Sequence, residues 1–267
     1  MIDTVIFSRN RPLQLYALLE SLHFYSDIKD HSSISVIFKY DDLYVDGLEE
    51  IRKKFPHVRF VNQGNFKQDI MSCFSEASRF CTFFVDDIIF KKRCSILTMC
   101  GILDANPSIL TFSMRMGMHL NYCYPTGEKQ PIPDGMIQGG FFAWDWRAGS
   151  GDWSYPISVD GHVFRKDQML SWIQMIEFNN PNQFEDRLQI AKQMSQNFGC
   201  VCMASSCIVN LPINRVQDEY KNKSGEELPE NLKKIWDQGK KIDFLSLSEI
   251  NNTSAHYPSS ISLLERS

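Results

Sequence analysis

The chain opens on an apolar run, Thr4–Ser8, and a short polar loop separates it from leucines at helical spacing, Leu15, Leu18, Leu19 and Leu22. The run reads as a strand and the leucines as a helix, with Pro12 suited to its first turn. A second apolar run, Ile34–Tyr40, ends in Asp41-Asp42. Residues 47–55 predict a short helix and Val58–Asn62 another strand. Phe66, Ile70, Cys73, Phe74 and Ala77 form an apolar stripe that predicts a helix over Asn65–Arg79. That helix leads into Phe83–Phe90, a β-branched and aromatic run broken in its middle by Asp86 and Asp87. Strand and helix thus alternate through residue 90, which predicts an α/β fold with a mostly parallel central sheet flanked by helices.

Beyond residue 90 the pattern is less regular. Helices are expected over Arg93–Leu103, Asp167–Met175 and Phe184–Asn197, the last entered by Asn179-Asn180-Pro181-Asn182. Strands are expected over Ile109–Met114, Val159–Phe164 and Ser206–Leu211. Residues 115–156 are rich in Gly, Pro and Trp, which suits a long functional loop around a short strand at Gly140–Trp144. Leu228, Leu232, Ile235 and Trp236 mark a late helix that Gly239 ends. No repeat or linker divides the chain. The expectation is a single domain over 1–267, with one half at 1–90, a second at 91–215 and a helical extension at 216–267.

Composition narrows the functional classes. The chain has 267 residues, 43% of them apolar, enough for a sizeable core. Its formal net charge is -4 and it has no long basic stretch, which argues against nucleic acid and against wholesale binding to anionic membranes. The first residues run into a strand without a leader pattern, and no apolar stretch has the length of a bilayer span. The expected location is cytoplasmic, with peripheral contact at the inner face of the membrane left open by the aromatic loop. The eight cysteines lie mostly in apolar segments, and Cys200, Cys202 and Cys207 fit no paired zinc spacing, so all are read as structural thiols. No expectation for oligomeric state follows.

The chemistry concentrates where apolar runs end in charge. An ionised Asp is costly to bury unless something compensates it. Asp86 and Asp87 therefore read either as a turn or as ligands for a hard divalent cation. In an open α/β sheet, ligands bind at the carboxyl ends of the strands. The loop Ser8–Arg11, the pair Asp41-Asp42 and the pair Asp86-Asp87 all fall there, which favours the cation. Trp144, Trp146, Trp153 and Tyr155 could face a sugar ring or simply fill core.

The ordered set VIFSRNRPLQL, KYDD, FKQDIM, FFVDD, DGHVFRK, PNQFEDRL, LPINRVQDEY and NTSAHYP resembles nucleotide-sugar glycosyltransferases of the GT-A fold, family-2-like and of a bacterial branch. The resemblance implies transfer of a sugar from a nucleotide-diphosphate donor to a glycan or lipid-linked acceptor, in cell-surface polysaccharide synthesis, assisted by Mn²⁺ or Mg²⁺. It places the donor on residues 1–90 and the acceptor and catalysis on 91–215. Ser8, Arg9, Arg11, Asp41, Lys67 and Asp86 become candidate donor ligands, with the three basic side chains offsetting diphosphate charge. Asp87, Asp86 and His256 become candidate metal ligands, in VDD where the family usually carries Asp-x-Asp, and the resemblance implies Asp87, the last of the triplet, as the direct ligand. Glu185, Asp186 and the competing Asp160 become candidates for the base, and Gly161 would let backbone approach a sugar. Two other classes stay open: a non-catalytic nucleotide-sugar-binding module, and a metal-dependent nucleotidyltransferase, although SRNRP lacks the glycine-rich phosphate loop such enzymes carry.

Overall fold

The computed structural model describes residues 1–195, 197–214, 225, 227–248, 250–258 and 260–266. In chain order the elements are β1 (Ile2–Arg9), α1 (Pro12–Tyr25), α2 (Ile28–His31), β2 (Ser32–Lys39), α3 (Val45–Lys54), β3 (Arg59–Asn62), α4 (Phe66–Ser72), β4 (Phe80–Val85), β5 (Ile88–Phe90), α5 (Ile96–Ala105) and β6 (Ile109–Ser113). There follow β7 (Tyr122–Cys123), β8 (Glu128–Lys129), β9 (Gly135–Gln138), β10 (Phe141–Asp145), β11 (His162–Arg165), α6 (Lys166–Met175), α7 (Pro181–Lys192), β12 (Gly199–Met203), β13 (Ile208–Asn210), α8 (Pro229–Asp237), β14 (Lys240–Ile242) and β15 (Leu263–Glu265).

One nine-stranded sheet, in the order β3-β2-β1-β4-β11-β6-β12-β10-β9, draws strands from both halves of the chain. Within it β10 and β11 run against the direction shared by the other strands. The expected α/β architecture, a mostly parallel sheet flanked by helices, is what the chain forms. Successive strand residues point to opposite faces. Ile6, Val36 and Phe84 pack with α1, α3, α5 and α8, whereas Val5, Phe7, Ile37 and Phe83 pack with α4, α6 and α7. Burial on both faces is why these strands read as unbroken apolar runs. Within α1, Leu15, Leu18, Leu19 and Leu22 are fully buried. Trimming one of them to Ala removes about 2–5 kcal/mol.

Several boundaries differ from expectation, and in each case named below a side-chain hydrogen bond, tertiary or capping, marks the turn where the element starts or stops. The helix expected over Asn65–Arg79 stops at Ser72. Beyond it Ser75 N–H and Ser78 Oγ donate to the buried Asp3 carboxylate at 3.1 and 2.9 Å, diverting the chain into a turn. The helix expected from Arg93 starts at Ile96, because Ser95 caps it and is itself held by Asp27 at 2.6 Å. The helix expected over Phe184–Asn197 runs from Pro181 to Lys192, started by the Asn180 side chain, which accepts from Gln183 N–H at 2.9 Å. The long loop contains the β7–β8 pair and β9. The C-terminal extension, expected to be helical, has α8 and then the antiparallel pair β14–β15 among its described residues. Among the described residues no helix is long and apolar enough to cross a membrane. The cysteines are unbonded thiols.

Candidate functional site

A cavity of about 750 Å³ opens along the carboxyl ends of β2, β1, β4 and β6. Its β2 end has apolar walls from Phe7, Ile37 and Phe66, next to Gln63, Asn180 and Asn182. Asp86 and Asp87 occupy its middle, and Arg115, Asp152, Asp160, Glu185 and His256 line its β6 end.

The two central aspartates have different environments. Asp86 is 3% exposed and fully engaged. Its Oδ2 accepts from Ser8 Oγ at 2.9 Å and from Arg9 N–H at 3.2 Å, and its Oδ1 accepts from Arg11 at 2.9 Å. The loop that supplies these donors turns through Asn10, whose φ of 53° lies in the left-handed region that Asn tolerates. Arg11 also donates to the Asn214 carbonyl, and Gln14 holds the Asn214 side chain at 3.0 Å. Asp87 has only a looser approach from Arg11, at 3.6 Å, and its Oδ1 has no hydrogen-bond partner among the described residues. Burial pushes its carboxyl up to about 7, against the pull of Arg11.

At the other end Arg115 bridges two elements. It donates to Asp152 at 2.5 Å and to Asp160 at 3.1 Å, and Gln130 braces Asp152 through its backbone N–H at 2.8 Å. Burial, reinforced by Glu185, lifts the Asp160 carboxyl to about 7. Burial also raises Glu185, whose Oε1 accepts from Val159 N–H at 3.2 Å. His256 stacks on Tyr124 with ring centroids 5.6 Å apart. Its Nδ1 has no partner among the described residues, and burial followed by the charge of Arg115 holds the imidazole down at about 4, hence neutral.

An unpartnered carboxylate oxygen and a neutral imidazole in one cavity suit a divalent cation of the Mg²⁺ or Mn²⁺ kind. Among the described residues, however, no three His, Cys, Asp or Glu side chains gather into a group that could hold a metal. The residues fit the ion as an open set and not as a closed cage.

No protein-family model matches the chain. Its sequence is similar to that of a glycosyltransferase. The bifunctional glycosyltransferase pgtA of Dictyostelium discoideum is 26% identical over 253 residues, covering 83% of this chain and 33% of the relative. The chain thus spans about a third of the length of that curated relative. Among solved structures, TarS 1-349 of S. aureus in complex with UDP is 12% identical with a TM-score of 0.48, covering 77% of this chain and 59% of that one. A cytidylyltransferase from Leptospira borgpetersenii is 14% identical with a TM-score of 0.44, covering 74% and 73%.

The structure gathers Ser8, Arg9, Arg11, Asp86, Asp87, Asp160, Glu185 and His256 at the cavity, and leaves other expected residues outside it. Lys67 donates to the Ile176 carbonyl at 2.8 Å and to Glu177 at 2.7 Å, so its ammonium ties down the end of α6 and does not line the cavity. Asp41 is exposed and accepts from the Asn10 amide at 2.6 Å, bracing the loop beside the cavity. Asp186 is exposed on the outer side of α7, one residue from the inward Glu185. Gly161, at φ 73°, serves a turn: a Cβ there would meet Ile208 at 2.3 Å. Its neighbour His162 is buried and accepts from Ser158 N–H at 3.2 Å. Trp144 and Trp153 form core with Phe142, while Tyr155 and Tyr124 reach the cavity. Of the LPINRVQDEY segment, Arg215–Tyr220 lies outside the described residues.

Arg115, Asp152 and Asn214, which line the cavity, were not among the expected site residues. Arg115 carries the signal that exposed Asp86 and Asp87, a charge at the end of a strand inside an apolar run, Phe112-Ser113-Met114-Arg115-Met116. Asp152 has no such local signal.

Proposed function

We propose that this chain is a glycosyltransferase that moves a sugar from a nucleoside-diphosphate donor to a hydroxyl of a glycan or lipid-linked acceptor. The observation that carries the reading is the division within the carboxylate pair. Asp86 is saturated by the first loop, and Asp87, which lines a cavity large enough for a nucleotide sugar, keeps a buried oxygen without a partner among the described residues. Similarity to the Dictyostelium relative supports the reaction class.

In this reading the base lies against Phe7, Ile37 and Phe66, with Gln63 and Asn182 able to address its polar edge. Asp87 holds the cation, Mn²⁺ or Mg²⁺, with His256 facing the same cavity. When bound, that ion supplies positive charge for the departing diphosphate. Asp160 and Glu185 form the proton-accepting pair: as the acceptor oxygen bonds to the anomeric carbon and the bond to the diphosphate oxygen breaks, the acceptor proton passes to this pair. Arg115 orients Asp160. Cell-surface polysaccharide synthesis and peripheral contact with a membrane belong to the same proposal.

The test is a thermal-shift panel of nucleoside diphosphates and nucleotide sugars with and without Mn²⁺, followed by donor hydrolysis on any hit. A donor that binds the folded state raises Tm. A response to one base that requires the cation and disappears in Asp87→Asn is expected. A flat response to every donor, or a response unchanged in that variant, overturns the reading.

A further inference from the structure

Backbone pairing brings one more polar side chain to the acidic pair. Asn210 ends β13, whose partner β5 begins directly after Asp87, and it lies opposite Ile88 in that ladder. The next residue, Leu211, donates its N–H to the Asp87 carbonyl at 2.8 Å. On the other edge Asn210 N–H donates to the Ala255 carbonyl at 3.0 Å, and its own carbonyl accepts from Tyr257 N–H at 2.8 Å, which sets Asn210 beside His256. The segment that carries Asn210 is therefore bonded on one side to the segment of Asp87 and on the other to that of His256. All three residues line the cavity.

Asn210 is 3% exposed, and the two ends of its amide are used unequally. The side chain bonds to the Asp160 carboxyl in the sense that favours the ionised form. A carboxylate only accepts, so the amide nitrogen is the end turned to Asp160. Oδ1 is left buried with no partner among the described residues. Asp87 Oδ1 and His256 Nδ1 share that condition on the same cavity. A buried acceptor without a donor is costly, and three of them on adjoining segments imply a common partner. An amide oxygen, a carboxylate oxygen and a neutral imidazole nitrogen together offer lone pairs and a single negative charge. That set repels an anion and suits a divalent cation.

We propose that the side-chain oxygen of Asn210 is a further ligand of the divalent cation, joining Asp87 and His256 in a carboxylate, amide and imidazole set. The inference rests on the metal-assisted reading above and adds to it a neutral oxygen from β13. The remaining positions of an octahedral Mn²⁺ fall to the diphosphate and water. Because the nitrogen of the same amide serves Asp160, Asn210 joins the cation to the proton-accepting pair.

The experiment uses Mn²⁺ alone as the probe, on the full chain. The EPR signal of free Mn²⁺ gives Kd for the parent, Asn210→Leu and Asp87→Asn, with the metal-free Tm of each variant as a check on folding. Pulsed ENDOR on the Mn²⁺-bound parent, ¹³C-labelled at its asparagine side chains, reads ligation directly. A saturable site that weakens at least about tenfold in Asn210→Leu, with a ¹³C coupling that Asn210→Asp removes, is the expected result. Parental Kd in a folded Asn210→Leu, no ¹³C coupling in the Mn²⁺-bound parent, or no saturable binding in the parent overturns the proposal. Should Asn210→Leu fail to fold, the coupling in the parent decides. A donor that binds with Mn²⁺ while the coupling is absent overturns the ligand and spares the glycosyltransferase reading, whereas the coupling together with a flat donor panel supports the ligand and overturns that reading.

Discussion

Replacing Asp87 by Asn should make the metal-free protein more stable at pH 8 while removing its response to a divalent cation. The carboxyl of Asp87 rises from 3.8 to about 7 on folding, chiefly through burial. At 1.36 kcal/mol per decade of proton affinity, keeping it ionised in the folded state costs at most about 4 kcal/mol. Its side chain is 19% exposed, and solvent relaxation around it brings the working figure to about 2 kcal/mol. For a chain of this size that is roughly 4–8 °C in Tm. The sign follows from linkage. Below about pH 4 the group is protonated in both states and contributes nothing. Between about 4 and 7 only the folded state holds the proton, so stability falls as pH rises, and above 7 the loss is complete. Asn has no charge to bury, and Arg11 keeps its bond to Asp86. The advantage of the variant should therefore be largest at pH 8, shrink at pH 5, and vanish below about pH 4. Urea denaturation at these pH values, with chelator present, measures it. A variant less stable than the parent at pH 8, or an advantage independent of pH, would refute the account of Asp87 as an uncompensated buried charge.

The proton-accepting pair gives a sharp contrast along one helix. Glu185→Gln and Asp160→Asn should each slow transfer by about 10²–10⁴-fold, whereas Asp186→Asn, on the exposed side of α7, should stay near the parental rate in a donor-turnover assay. Because burial lifts Asp160 to about 7 and a base works only when ionised, kcat/KM at saturating Mn²⁺, which keeps Asp87 ionised, should rise as pH increases through about 7; Asp160→Asn should erase that limb, and a flat profile in the parent would count against the assignment. Among the aromatics, Trp153→Ala should cost about 3–5 kcal/mol in a denaturation curve, since its ring is fully buried. Tyr155→Ala should leave stability nearly unchanged and weaken ligand binding instead, because that ring lines the cavity.

The legible parts of the chain are those in which a residue's environment is set by its near neighbours. Val5, Ile6 and Phe7 announce a two-sided strand, and Asp86 and Asp87 stand out because no local feature explains charge in such a run. Lys67 shows the opposite case. Beside an apolar stripe it looked free to meet phosphate, but its partner is the carbonyl of Ile176, 109 residues away. Asp152 is similar, since the guanidinium that gives it meaning is 37 residues distant. Neither pairing has a local signature, because each arises from which loops the sheet order brings together. Glu185 and Asp186 were equivalent as sequence, and helical geometry alone separates them. Trp144 and Trp153 needed the sheet to show that they pack against each other and not against a ligand.

The charge inventory of the cavity leads to a last prediction, on the order in which ligands act. Five carboxyl groups line it, Asp86, Asp87, Asp152, Asp160 and Glu185, against two buried guanidinium groups, Arg11 and Arg115. Arg11 is committed to Asp86 and Arg115 to Asp152 and Asp160, so neither is available to a phosphate without losing an existing partner. The exposed Arg9 and Lys39 at the rim are screened by solvent and contribute little. A nucleoside diphosphate entering alone would add two or more negative charges to an acidic, half-dry cavity. The cation reverses that sign, and it in turn gains oxygen ligands that Asp87 and His256 alone do not supply. Binding of cation and diphosphate should therefore be strongly cooperative. Titrating the donor at increasing Mn²⁺ should lower its Kd, and by reciprocity titrating Mn²⁺ at increasing donor should lower the metal Kd by the same factor. In Asp87→Asn that mutual factor should collapse towards one, and full-strength diphosphate binding with chelator present would show that some other group carries the charge.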